Sequence, residues 1–268
     1  MLDSAVDRVR GAVTERAELP NMSLLEHLEE LRKRVILSVI GIVVGFFACW
    51  GLWRRIFDFM QQPVLKAMAR NHLDPHLVYT NPMDPFNLQV KIALVAGIFL
   101  SCPWVLYQIW QFISPALYRQ EKKYVLPFLF STVGLFLAGG AFGFYIVYPN
   151  ALTFLIHQGT EIQNAQAMIT INEYVSLLLT IELGLGIVFE LPILIFFLAL
   201  MGIVDSRFLI KNFRYAVLIM FIIAAVLTPT PDVMSMTAFA TPMVILYIVS
   251  IGIAHLVHPK KRKERAAA

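Results

Sequence analysis

The sequence predicts an all-α integral membrane protein with six transmembrane helices and both termini on the cytoplasmic side. Three observations carry that reading. Of 268 residues, 58% are hydrophobic and only 15% are charged, with a mean hydropathy of +0.69, against roughly a quarter charged in soluble domains. The apolar residues fall in long uncharged runs, and a helix of about 20 such residues crosses a hydrocarbon core of about 30 Å. Lys and Arg concentrate in alternate inter-run segments, 17 against 5, which places the richer side in the cytoplasm. A soluble enzyme is excluded on these grounds.

The elements follow in chain order. Residues 1–22 form a leader without an assigned role, 23–257 the six-span domain and 258–268 a basic cytoplasmic tail suited to anionic lipid. Ser23 and Glu26 make a capping box, and Leu24, Leu28, Leu31 and Val35 recur at helical spacing. An amphipathic surface helix should therefore start at Ser23 and run into the first span, 35–53. Residues 54–91 hold four prolines and read as an external cap of short helices. Their five cations are the exception to the charge asymmetry. The second span is 92–113; Ser114 and Pro115 then predict a short surface helix. The third span is 124–148, followed by 149–173 as a second piece of the cap. The fourth, 174–204, is interrupted by Pro192, which should kink it near residue 188. The fifth, 215–228, reaches only about 21 Å and should thin the bilayer or rest on neighbours. The turn Pro229-Thr230-Pro231-Asp232 forces an antiparallel hairpin into the sixth, 233–257. Together the fifth and sixth are read as the short spans of the bundle.

Several function classes lack support. The basic residues flank apolar runs without aromatic interleaving, which argues against nucleic acid. Cys49 and Cys102 lie inside apolar runs with no ligand-spaced His or acid, so no metal or other cofactor is expected. No cleavable signal peptide is expected, and no phosphate-binding glycine loop or hydrolase motif is visible. Any transport work must draw on a gradient or on partners.

Four features could carry function. Glu29 with Lys33 and Glu30 with Arg34 stand at i,i+4 spacing at the membrane surface, a stabilising arrangement in itself. In the loop after span two, Glu121 stands among Arg119, Lys122 and Lys123, either a charge-balanced stop signal or an acceptor for a cationic ligand. Glu182 and Glu190 lie within the fourth span, about 12 Å apart along the axis; an acid at such depth marks a site, a relay or a groove unless a neighbouring helix satisfies it. With Pro192 they imply a concave intramembrane groove. Gly41-x-x-x-Gly45 and Gly139-x-x-x-Gly143 permit close helix packing within the chain.

The residues Leu28-Glu29-Glu30-Leu31-Arg32-Lys33-Arg34, Ser114-Pro115-Ala116-Leu117-Tyr118-Arg119-Gln120-Glu121-Lys122-Lys123, Phe189-Glu190-Leu191-Pro192 and Thr228-Pro229-Thr230-Pro231-Asp232 together resemble the TatC family. These are the multispanning subunits of the twin-arginine protein translocase. The resemblance covers Ser23 to about Val257. It implies a multi-pass protein of the cytoplasmic (inner) membrane that is not an enzyme. Such a protein binds the consecutive-arginine signal peptides of folded substrates and works with TatA- and TatB-type single-span subunits, other copies of itself and the proton-motive force.

Carried over residue by residue, the arginine pair is faced by Glu30 and Glu121, in a surface that includes Arg32, Arg34, Phe112, Leu117, Tyr118 and Arg119. Two spaced carboxylates could demand two planar guanidiniums, while the surrounding bases repel a merely basic peptide. The partner-docking positions are Thr228, Pro231, Asp232 and Met236, where Met236 stands in place of a frequent Gln and Thr230 is an extra turn residue. The alternative, read from the residues alone, is a proton-coupled carrier of small solutes using Glu182 and Glu190.

Overall fold

The computed structural model describes residues 24–71, 76–113, 125–160, 169–200, 202–228 and 233–257. Its elements are helices, and the β contact among them is an isolated parallel bridge between Val78 and Thr170. Ser23, the expected cap, lies outside the described residues, but the helix it was to start is present: α1, Leu24–Trp50, is continuous from the surface segment into the first span. Leu28, Leu31 and Val35 of the predicted stripe are exposed. The inward face of α1 is instead His27, Glu30, Arg34, Gly41 and Gly45.

Two short cap helices follow, α2 (Trp53–Met60) and α3 (Gln62–Arg70), the latter with Pro63 in its first turn. They bury Met60, Val64, Ala67 and Met68, so the cap has an apolar floor of its own. The second spanning helix, α4 (Asp84–Ile113), begins eight residues before the apolar run that predicts it. Its start is fixed by Asp84, which is buried and whose Oδ2 accepts the backbone N–H groups of Thr80 and Asn81 at 3.2 and 3.0 Å. Helix α1 lies antiparallel along α4. A Cβ on Gly45 would sit 2.6 Å from the Gly97 carbonyl oxygen, and one on Gly41 would sit 2.4 Å from the Trp104 ring. Only hydrogen at these positions allows that approach, as the small-residue spacing predicts.

The third span differs from expectation at Pro149. Helix α5 (Val125–Phe142) passes through a π turn, Gly143–Val147, into α6 (Tyr148–Thr160). Tyr148 N–H bonds to the Gly143 carbonyl, and this wider turn re-pairs the backbone just before the proline removes a donor. The helix therefore continues to residue 160, through the first part of the stretch expected as a second piece of the cap. The fourth span is divided as Pro192 requires: α7 (Ile171–Val188) and α8 (Leu191–Leu200) flank a turn at Phe189 and Glu190. Gly139 makes the α5–α7 contact possible, since its Cβ would meet the Leu185 carbonyl oxygen at 2.5 Å.

A short helix, α9 (Ser206–Lys211), is capped by Asp205, which accepts Phe208 N–H at 2.7 Å. It leads into α10 (Phe213–Leu227), whose 15 residues rise about 22 Å. The last helix, α11 (Val233–Val257), has 25 residues, so the fifth span is short and the sixth is not. Length there comes from polar Ser235, Thr237 and Thr241 turns that extend the apolar stretch. In a bilayer the threonine hydroxyls are satisfied locally: Thr237 and Thr241 donate to the carbonyls four residues back. The main core gathers around α7, with Tyr148, Leu178, Ile181, Phe239 and Met243 wholly or almost wholly buried.

Candidate functional site

At the N-terminal end of α1 the structure brings together three of the predicted residues. Arg34 Nη2 reaches Glu30 Oε1 at 3.2 Å, across one turn, while Glu29 and Lys33 do not close the second expected pair. The same guanidinium bonds across to α4, to Gln108 at 3.3 Å and Gln111 at 3.2 Å; Gln111 in turn donates to Tyr107 Oη. One turn earlier, the His27 ring stacks on Phe112 with centroids 4.4 Å apart. Arg34 is thus a brace on Glu30, held from α4, and Arg32 is the exposed charge of the pair. Glu30 Oε2 and Arg34 Nε are both buried and have no hydrogen-bond partner among the described residues. One acceptor and one donor of the same ion pair are therefore left unsatisfied among the described residues.

The braces were missed in sequence. Gln108 and Gln111, with Tyr107, are a polar cluster at the end of an apolar run, and that spacing is the signal that could have found them. Leu117, Tyr118, Arg119 and Glu121 lie outside the described residues, as do Pro231 and Asp232.

The intramembrane acids occupy separate environments. Glu190 sits on the turn between α7 and α8, where its carbonyl accepts Ile193 and Leu194 N–H groups and so starts α8. Its Oε1 is buried without a hydrogen-bond partner among the described residues. Pro192, beside it, is buried against the same break. Glu182, two turns earlier, lines a cavity of about 280 Å³ whose other walls are apolar, from α2, α4, α5 and the π turn. Glu182 lines this cavity and Glu190, beyond the helix break, is not among its lining residues. Among the described residues neither has a cationic neighbour within ion-pair distance.

Thr228, at the end of α10, is buried and returns its hydroxyl to the Ala224 carbonyl at 2.9 Å. It also lines the largest of the described cavities, about 600 Å³, between α6, α7 and α10. Most of that lining is apolar, with Glu173, Ser176 and Thr180 as polar points. Met236 lies half-buried in the first turn of α11. Among the described residues no group of His, Cys, Asp and Glu is placed to hold a metal ion.

Comparison with known proteins gives these features a family. The model of the family described as Sec-independent protein translocase protein (TatC) matches residues 26–242. A Sec-independent protein translocase protein TatC of Koribacter versatilis is 57% identical over 260 residues, covering 97% of this chain and 94% of the relative. One from Carboxydothermus hydrogenoformans is 41% identical, covering 90% and 96%. Among solved structures, a crystal structure of the twin-arginine translocase receptor TatC superposes with a TM-score of 0.76 at 33% identity, covering 87% of this chain and 99% of that one. The solute-carrier alternative thereby loses its footing. A multi-pass helical chain, alike to these proteins over nearly its whole length in sequence and in fold, belongs to the TatC family of Sec-independent protein translocase subunits.

Proposed function

We propose that this chain is the signal-peptide receptor of a twin-arginine translocase in the cytoplasmic membrane, with both termini in the cytoplasm. In this reading Glu30 and Glu121 each take one guanidinium of the consecutive-arginine motif. The observation that carries it is the half-satisfied carboxylate of Glu30: Oε1 is tied to Arg34, and Oε2 is buried with no hydrogen-bond partner among the described residues. A carboxylate already oriented by a braced arginine loses little freedom on binding, and a guanidinium can complete its lone pairs in a plane that an ammonium cannot match. Glu121 follows Ile113, the last residue of α4, by eight residues, a reach of at most about 29 Å. Because Phe112 stacks on His27, that segment departs from the same end of the molecule as Glu30. The positive-inside asymmetry assigns this end to the cytoplasm.

Arg32, Arg119 and the neighbouring lysines would discourage a peptide that is basic without the right geometry. Leu117 and Tyr118 would flank the motif, and Glu190 would offer a polar point along the path of the peptide's apolar stretch. TatA- and TatB-type single-span subunits would dock about Thr228, Pro231, Asp232 and Met236, with other copies of the chain completing the assembly. Six helices enclose no passage for a folded cargo, so transport is the work of the assembly and the proton-motive force.

The test is binding of an Arg-Arg and a Lys-Lys signal peptide to the protein in lipid nanodiscs. The Arg-Arg peptide should bind more tightly, and Glu121→Gln and Glu30→Gln should each erase the difference. Equal binding of both peptides to the unmodified protein overturns the site.

A further inference from the structure

The five cations of residues 54–91 run against the charge asymmetry of the chain, and the structure accounts for them unequally. Lys91 donates to Asn172 and Ser176 at 2.6 and 2.8 Å, and Arg54 lies over the Trp53 ring. Lys66 and Arg70 stand one turn apart on α3, are exposed, and enter no hydrogen bond or ion pair among the described residues. Both line a groove of about 350 Å³ between α3 and α6, with Gln62 and Thr153 as further polar lining. Its apolar wall is Phe59, Phe144 and Tyr145. Those same three residues also line the 280 Å³ cavity between α2, α4 and α5 that ends at Glu182. The two cavities therefore meet at a shared aromatic wall, of which Phe59 and Tyr145 are exposed. One end carries two like charges, and the other is a slot of Ile92, Val95, Ala96, Leu137 and Ala141.

We propose that this two-lobed groove binds one anionic phospholipid of the cap-side leaflet, its phosphate between Lys66 and Arg70 and one acyl chain laid over Phe59 and Tyr145 into the slot. The division of labour follows from the solvent. An acyl chain gains little by leaving other acyl chains for an apolar protein slot, so selection rests on the headgroup, where basic side chains near the surface attract anionic lipid. The slot fixes position and orientation. Glu182 at its far end offers nothing to a phosphate, which leaves the headgroup at the basic rim. A free anion would use the rim alone, and an acidic protein segment would leave the slot unfilled. The proposal does not depend on the peptide site at the opposite end of the molecule.

The experiment is native mass spectrometry of the full chain released from micelles containing equal amounts of phosphatidylglycerol and phosphatidylcholine with identical acyl chains. Phosphatidylglycerol should be retained in preference. The double variant Lys66→Gln/Arg70→Gln should lower that preference about 25-fold, roughly five-fold per charge. Arg54→Gln/Arg55→Gln, which removes the same charge from the same segment, should leave it within about two-fold. Ala141→Phe, which narrows the slot, should lower retention of both lipids, and inorganic phosphate should not displace the bound lipid. All of these positions except Ala141 are exposed charges whose loss leaves the fold intact, which the thermal midpoint of each variant checks. Equal effects of the two double variants would reduce the preference to net charge and overturn the site. Displacement by inorganic phosphate, or by a polyglutamate peptide, would overturn it in favour of a simple anion site or a protein partner.

Discussion

The α1–α4 pair and the bundle around α7 meet the membrane in different ways. In the first span 11% of the apolar window is buried inside the protein; in the span made by α7 and α8 the figure is 44%. Helix α1 rests chiefly on α4, through glycine contacts at one end and the Arg34 network at the other. Helix α7 is surrounded by α4, α5 and the π turn, and contributes Leu178, Ile181 and Leu185 to the core. The bundle thus carries the stability, and the pair carries an open ion pair on a single support. A surface built to accept a ligand needs unfilled valence, and a core cannot afford it.

That contrast can be broken at graded cost. Leu178→Ala, which opens a void in the bundle, should destabilise the protein by about 2–5 kcal/mol, seen as a lower thermal midpoint in detergent. Peptide selectivity of the folded fraction should survive. Glu30→Gln should do the reverse: loss of a charge-assisted bond of about 1.5–3 kcal/mol weakens Arg-Arg peptide binding by ten-fold or more, with little change in midpoint. Gly45→Val places a side chain against the Gly97 carbonyl and should cost about 1–3 kcal/mol. Its mark should be loss of a disulfide crosslink engineered across α1 and α4, with the bundle still folded. Gln108→Leu removes one brace from Arg34, a change of about 1 kcal/mol, and should loosen peptide binding a few-fold. If Gln108→Leu lowered the midpoint as much as Leu178→Ala, the separation of the two regions would be wrong.

How legible these regions were in sequence follows the same divide. The glycine spacings on α1 and α5 were readable because close approach has a residue requirement, and the break before α8 because Pro192 lacks a donor. The first eight residues of α4 were not. Asp84, Gln89 and Lys91 carry the helix beyond the apolar stretch, and it is held there by a buried aspartate and by contacts to α7 some eighty residues away. Pro149 looked like a stop because the re-pairing that tolerates it lies in the preceding turn. Of the candidate site, Glu30 and Arg34 could be paired from spacing alone. Their partners Gln108 and Gln111 are distant in the chain, and a one-dimensional pattern does not reveal which polar residues meet.

The bridge between Val78 and Thr170 has a mechanical consequence. Val78 N–H bonds to the Ile169 carbonyl at 3.1 Å, and Ile171 N–H to the Val78 carbonyl at 2.9 Å. Two long spans, α4 and α7, therefore set out from a common reference height fixed by main-chain atoms alone. Lys91 meets Asn172 and Ser176 because that height is shared. Side chains in the cap are free to drift over evolutionary time without sliding one span against the other, so the vertical register of the bundle is insulated from the sequence of its lid.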